Sequence, residues 1–168
     1  MKVKIIRVID KAVVDANIIQ PGKLPLPSLT EGWRFNFKKH SKRKGFITYV
    51  LVGEDSPGKI EGCLIFQMKN TVEPYMAFIE VAPHNRGKNK VFDRVAGCLI
   101  AFACRLSFIH GKDDYQGWLA FDVLEGSKED EIRLMAIYCK KYGALKYGDT
   151  TMVIPPDAGE QLIGDFLK

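Results

Sequence analysis

Near Val91 the periodicity of the chain switches from strand to helix, and that switch limits the folds open to it. Before it, Phe46–Gly53, Ile60–Lys69 and Tyr75–Val81 are rich in β-branched and aromatic residues. Turn-forming residues separate them: Glu54-Asp55-Ser56-Pro57-Gly58 in one gap and Asn70 in the next. Runs of this kind suit a pleated surface, and their short spacing predicts a three-strand antiparallel meander. After Pro83 comes a loop. From about Val91 to Ile109, Phe92, Val95, Leu99, Phe102, Ala103 and Leu106 then follow the 3.6-residue spacing of a helix, with Gly111 as its C′ residue.

The flanking segments extend the pattern. Residues 2–8 read as a first strand, and Asp10 to Ile19 as a short helix ended by Pro21-Gly22. Gly22-Lys23-Leu24-Pro25-Leu26-Pro27 reads as loop, because its prolines oppose helix and ladder alike. Leu29 to Lys44 is expected to be helical, with Trp33 and Phe37 one turn apart. Trp118–Leu124 reads as a central strand. A helix over about Lys128–Tyr142 follows Ser127, a good N-cap with Asp130 three residues on. Acidic residues 129–131 open that helix and Lys140 and Lys141 close it, matching the macrodipole. Ala144–Tyr147 and Thr150–Ile154 are expected to form a hairpin, and Asp157 to cap a last helix ending near Leu167. The sum is an α/β (mixed α+β) domain with a mixed, mostly antiparallel sheet and helices on both faces.

At 168 residues, with 46% hydrophobic and 27% charged, the chain suits one compact soluble domain. Every apolar run is interrupted before it reaches membrane-spanning length, so no membrane partner is expected. Residues 1–7 lack the apolar block of a signal peptide, and the expected location is the cytoplasm. Cys63, Cys98, Cys104 and Cys139 sit among apolar neighbours and read as buried free thiols. With three scattered histidines, no metal site is expected. The formal net charge of +5 favours anionic partners: nucleic acid, acidic protein tails or a polyphosphate cofactor.

The segment Phe78 to Val91 carries the chemistry. An apolar strand ends, Arg86-Gly87-Lys88-Asn89-Lys90 follows, and a long helix is expected to begin at once. Backbone N–H groups and the dipole at a helix start favour anions. Gly87 permits close approach, and Asn89 tolerates positive φ. On residue type alone this is either an anion site or a solvated basic turn.

Strand, proline, Arg-Gly-Lys and helix together resemble motif A of the GNAT acetyltransferases, Arg/Gln-x-x-Gly-x-Gly/Ala. The matching positions here are Arg86, Asn89 and Val91, the last two standing where the family has small residues. Ile137-Tyr138-Cys139-Lys140-Lys141-Tyr142-Gly143-Ala144 resembles motif B. A doubly wound nucleotide fold would need a glycine-rich loop after the first strand, and none is present. The resemblance implies one domain over 1–168: acceptor-side elements in 1–45, a cofactor-binding core in 46–154 and a C-terminal helix in 155–168. It implies acetyl-CoA (coenzyme A) as cofactor and transfer of the acetyl group to a primary amine by direct attack.

On that resemblance Tyr75–Val81 and Trp118–Leu124 splay apart. Backbone groups of Ile79 and Val81 contact the cofactor, and Arg86, Gly87, Lys88, Asn89, Lys90 and Val91 hold its pyrophosphate. These cations, with Lys140 or Lys141, are the candidates for the 3′-phosphate. Glu80 is the candidate base, against the alternative of a surface carboxylate, and Tyr138 the candidate acid, against that of a packing residue. Cys139 lies on an apparent apolar stripe with Ile132, Met135 and Ala136 and is expected to be buried; His84 is expected to be a loop residue. The acceptor is a small-molecule or peptide amine, placed by Trp33, Phe35, Phe37 and the Lys146, Tyr147, Asp149 region, unless those aromatics only pack. The other readings are a non-catalytic acyl-CoA-binding or regulatory domain of this fold and, on the basic run Phe37–Lys44, a nucleic-acid binder, which ranks last. A homodimer is left open.

Overall fold

The meander forms as its composition predicts. In a computed structural model that describes residues 1–167, β3 (Ile47–Gly53), β4 (Ser56–Lys69) and β5 (Glu73–Val81) pair antiparallel in sequence order. They sit centrally in a nine-stranded sheet. The other strands are β1 (Lys2–Arg7), β2 (Val13–Ile19), β6 (Phe92–Asp93), β7 (Leu119–Asp122), β8 (Leu145–Lys146) and β9 (Thr151–Ile154). The order is β6-β1-β2-β3-β4-β5-β7-β9-β8, and every neighbouring pair is antiparallel except β5 with β7. The helices are α1 (Phe37–His40), α2 (Val95–His110), α3 (Lys128–Tyr142) and α4 (Pro156–Phe166). The expected mixed, mostly antiparallel fold is the observed one.

Strand alternation divides the apolar residues into two cores. One core contains Leu51, Leu64 and Phe66 of the sheet with side chains of α2, α3 and α4. The other lies on the opposite face, where Val50, Val52, Cys63 and Ile65 meet Trp33 and Phe37. Eleven of the sixteen residues of α2 are buried, because it is enclosed by the sheet and α4. Gly62 and Gly97 permit this closeness. A Cβ on Gly62 would stand 2.7 Å from Val95 and 2.8 Å from Leu99, and one on Gly97 would stand 2.2 Å from the Phe166 ring.

Several expectations fail locally. Asp10–Ile19 is not a helix: Asp10 accepts from the Arg7 guanidinium and the Ala12 N–H, Lys11 adopts φ 58°, and this turn sends Val13–Ile19 back along β1. Leu29–Lys44 is not one helix either. It contains a 3-10 turn at Leu29–Glu31, ended by Gly32 at φ 85°, and the single turn α1. The N–H groups of Arg34 and Phe35, which a helix would use internally, bond instead to the Glu80 carboxylate. Finally, α2 starts at Val95, four residues later than expected. Phe92 donates its N–H to the Asn85 side chain and pairs with Arg7, so the chain forms β6 first. At the other end, Gly111 caps α2 with φ −61° and not as a left-handed C′ residue. A glycine fits there because a Cβ would lie 2.5 Å from the Ser107 carbonyl.

The helix α3 spans Lys128–Tyr142 as expected, with Ser127 Oγ accepting from Asp130 N at 3.2 Å and Gly143 left-handed at its end. Its expected apolar stripe holds only at Met135, which is buried with Tyr142, while Ile132, Ala136 and Cys139 are exposed. Cys139 is therefore not a buried thiol. The other three cysteines are, and burial raises each of their pKa values, Cys98 to about 11 and Cys104 to about 12. The C-terminal segment expected over 155–168 forms α4, with only Lys168 outside the described residues, but Asp157 is the second residue of this helix and Pro155, not Asp157, is its cap.

Candidate active site

The one parallel contact in the sheet sets the geometry. β5 and β7 pair only at Tyr75↔Ala120, and toward their C-terminal ends they diverge around a cavity of about 610 Å³. Its wall includes Ile79, Ile100 and Phe121 from the helical side, and Phe35, Phe46 and Phe78 from the aromatic side. The cleft therefore opens the sheet to both faces. Along β5, Phe78 pairs with Ile65 and Met76 with Phe66, so Ala77 is an extra residue, a bulge that bends the strand beside the cleft.

Below the divergence the two halves are tied by side chains. Tyr75 donates to Asp122 in a short hydrogen bond, and Thr150 and Thr151 donate to the other Asp122 oxygen at 2.9 and 2.8 Å. Burial pushes the Asp122 carboxyl up, but the bonds from Tyr75, Thr151 and Thr150 outweigh it and hold it below its ordinary value. The Lys69 ammonium lies 3.5 Å from the centre of the Tyr75 ring.

Above the divergence, Glu80 is buried at 7% exposure. Its carboxylate accepts from Arg34 N at 2.8 Å, from Phe35 N at 3.0 Å and from the Arg86 guanidinium. It is not a surface residue; the Arg34 and Phe35 N–H groups hold the aromatic segment to β5, and Arg86 joins them from the loop after that strand. Arg34 then reaches across the cleft to Glu125, three residues past β7, with bonds of 3.1 and 2.6 Å to its two oxygens.

Of the residues expected to hold a cofactor, Ile79, Val81 and Arg86 line the cleft. The Arg86 guanidinium is engaged with Glu80. Gly87, Lys88, Asn89 and Val91 are exposed on the loop between β5 and β6, and Lys90 pairs with Asp93 at 3.1 Å. The helix start that faces the cleft is instead the first turn of α2, whose Ala96 lines it along with Ile100 one turn on. Ala96 brings no bulk to the cleft wall, and the N–H groups of this first turn, at Val95, Ala96 and Gly97, fit an anion, the chemistry a pyrophosphate needs. Tyr138 lines the cleft with its ring against Phe121 at 4.7 Å and Tyr142 at 5.8 Å. Burial and then the nearby Glu125 charge push its phenol up to about 12. It is therefore neutral at physiological pH.

His84 lies in the connection between β5 and β6, where its partly buried ring joins a second polar group. Its Nε2 lies 2.5 Å from Glu61 Oε2, and Asn85 donates to the same oxygen at 2.9 Å. With Asn85 accepting from Phe92 N, this cluster fixes the path from β5 to β6. Sequence reasoning missed Glu61, Arg34, Asp122 and Glu125. Asp122 carried a signal, a carboxylate inside an apolar strand; Arg34 and Glu125 lie 91 residues apart, and nothing local links them. Among the described residues there is no metal-ligating cluster and no helix long and apolar enough to cross a membrane.

No protein-family profile matches the chain, and no curated protein matches it either. Solved structures do. A KacTA–DNA complex superposes with TM-score 0.61 at 14% identity, over 89% of this chain and 99% of the other. The AtaTR structure bound with acetyl-CoA gives 0.55 at 12%, over 88% and 98%. A GNAT family acetyltransferase from Elizabethkingia anophelis with acetyl-CoA bound gives 0.50 at 12%, over 82% and 94%. With its splayed strands and these neighbours, the chain has the GNAT acetyltransferase fold.

Proposed function

We propose that the protein is an acyl-CoA-dependent N-acetyltransferase that moves an acetyl group from acetyl-CoA to a primary amine by direct attack. The observation that carries this reading is the cleft between β5 and β7, with the start of α2 and Tyr138 both in its wall. The free edge of β5 at Ile79 and Val81 suits the amide-bearing pantetheine arm. The first turn of α2 suits the pyrophosphate, with Gly87, Lys88, Asn89, Lys90 and Val91 as a largely exposed basic border and Lys88 placed to reach a phosphate.

When bound, acetyl-CoA supplies the acetyl group as a thioester. Tyr138, in the wall of the cleft, gives its phenolic proton to the departing sulfur; burial keeps that proton in place at neutral pH until the sulfur needs it. Glu80 is a positioning residue: with three donors on its carboxylate, it fixes Arg34 and Phe35 at the acceptor side. That engagement also favours the second reading, an acyl-CoA-binding domain without catalysis, since it removes the obvious base.

Calorimetry with acetyl-CoA tests both readings together; absence of binding at millimolar cofactor overturns both. Thiol release from acetyl-CoA in the presence of a pool of primary amines separates them. Turnover that falls in Tyr138→Phe, with cofactor affinity kept, supports the enzyme.

A further inference from the structure

Three carboxylates line the cleft, and they differ in what holds them. Glu80 takes two backbone N–H groups and a guanidinium, and Asp122 takes three hydroxyls. Neither can be released without loosening the sheet or the aromatic segment. The Glu125 carboxylate is held by the Arg34 guanidinium, a side chain 48% exposed, while Glu125 itself is 15% exposed. A long exposed side chain can swing away at little cost. The carboxylate it uncovers is mostly shielded from water, where a charge left alone is unfavourable.

From this contrast we infer that Arg34 is the placeholder for the acceptor's ammonium group, and that Glu125 binds that ammonium and takes up one of its protons. The inference rests on the acetyltransferase reading and names its acceptor class: a primary amine, cationic in solution, carrying an apolar or aromatic substituent. The substituent follows from the neighbouring wall, where Phe35, Phe46 and Phe78 line the cavity and each is only partly buried. Phe35 and Phe78 meet edge to face at 5.1 Å, and Arg34 sits over Phe35 at 5.4 Å. A cation carried on an apolar stem can therefore take the same position that Arg34 occupies.

The protons balance. Of the three on the ammonium, one stays on the amide nitrogen and one leaves through Glu125 to solvent. The third replaces, through solvent, the proton that Tyr138 gives to sulfur. The nitrogen–carbon bond forms as the carbon–sulfur bond breaks, and both side chains return to their starting states.

The test is calorimetry on the full chain saturated with coenzyme A, titrated with 2-phenylethylamine and with its uncharged analogue 2-phenylethanol. Arg34→Gln should tighten the amine about tenfold by removing its competitor, and Glu125→Gln should weaken it about tenfold or more. Neither should change the phenylethanol affinity, and coenzyme A affinity should stay within about twofold in both, which also shows that the variants fold. Opposite signs for the two variants support the proposal, since partners in a merely structural bridge would shift binding the same way. No amine binding to Arg34→Gln, an unchanged amine affinity in Glu125→Gln, or a parallel loss in both variants overturns it. Failure of the wild-type chain to bind coenzyme A at all would instead fall on the underlying reading.

Discussion

The two faces of the sheet are covered in different ways. On one face, α2, α3 and α4 enclose a core closed by tight glycine contacts at Gly62 and Gly97. On the other, residues 24–46 contribute a 3-10 turn, the four-residue α1 and a set of aromatic rings, fastened through one buried carboxylate. The helical face derives its shape from many local hydrogen bonds and broad apolar burial. The aromatic face depends on a few long-range bonds, so its conformation is easier to alter by a single change. Rigid packing lies where the cofactor's phosphates are proposed to bind, and the adaptable segment lies where the acceptor is proposed to enter.

The sharpest way to break this contrast is Glu80→Ala. Leaving the Arg34 and Phe35 N–H groups without a partner and the Arg86 guanidinium without its carboxylate should cost about 3–5 kcal/mol in urea unfolding, as for other broken buried pairs. The buried Trp33 emission should shift red as the aromatic segment loosens. A loss under about 1 kcal/mol would show that the rings hold the segment by themselves.

Next in size is Tyr138→Phe, expected to lower kcat on the order of 100-fold with acetyl-CoA affinity kept. On the helical face, Gly97→Ala should cost about 1–3 kcal/mol through overlap with Phe166, seen as a lower urea midpoint. Trp33 emission should stay unchanged below that midpoint, since the strain falls on the other core.

The smallest effects separate the faces by pH. Burial raises Tyr142, like Tyr138, to about 12. A raised folded value means their contribution is complete below the unfolded value near 10 and lost as pH rises through about 12. His40, stacked on Phe78 at 4.3 Å, is lowered by burial and then by Arg43 and Lys39. Its contribution is present above the ordinary histidine value and lost as pH falls through its folded one. Alkali should thus weaken the helical face and acid the aromatic one, measured by thermal melts across pH, with the acid limb reduced in His40→Leu.

The same division describes what the sequence made legible. The helix α3 was readable to the residue because its signals are local: Ser127, the acidic start, the basic end and Gly143. So was the meander, from β-branched content and turns. The segment 10–19 was misread because a seven-residue strand with Asp15 exposed and Asn17 only half-buried offers little periodicity, and the Arg7–Asp10 turn that starts it is a side-chain event. The 29–44 segment was misread because its N–H partners come from Glu80, 45 and 46 residues away. The late start of α2 has the same cause, the Asn85–Phe92 bond and the pairing of β6 with β1. Tyr138 and the β5 edge could be named from local sequence and lie in the cleft wall, whereas the Arg34–Glu125 bridge could only be seen once the chain was folded.

The lone residue pair joining β5 to β7 has a further consequence. Nine strands form one sheet only because a single rung connects a six-strand leaf to a three-strand leaf. On the proposed function, the missing rungs are supplied by a metabolite, so the protein's backbone is an unfinished ladder completed by its cofactor. Its resistance to unfolding should then follow the acetyl-CoA concentration around it by mass action, making the fold a gauge of the acetyl supply it consumes.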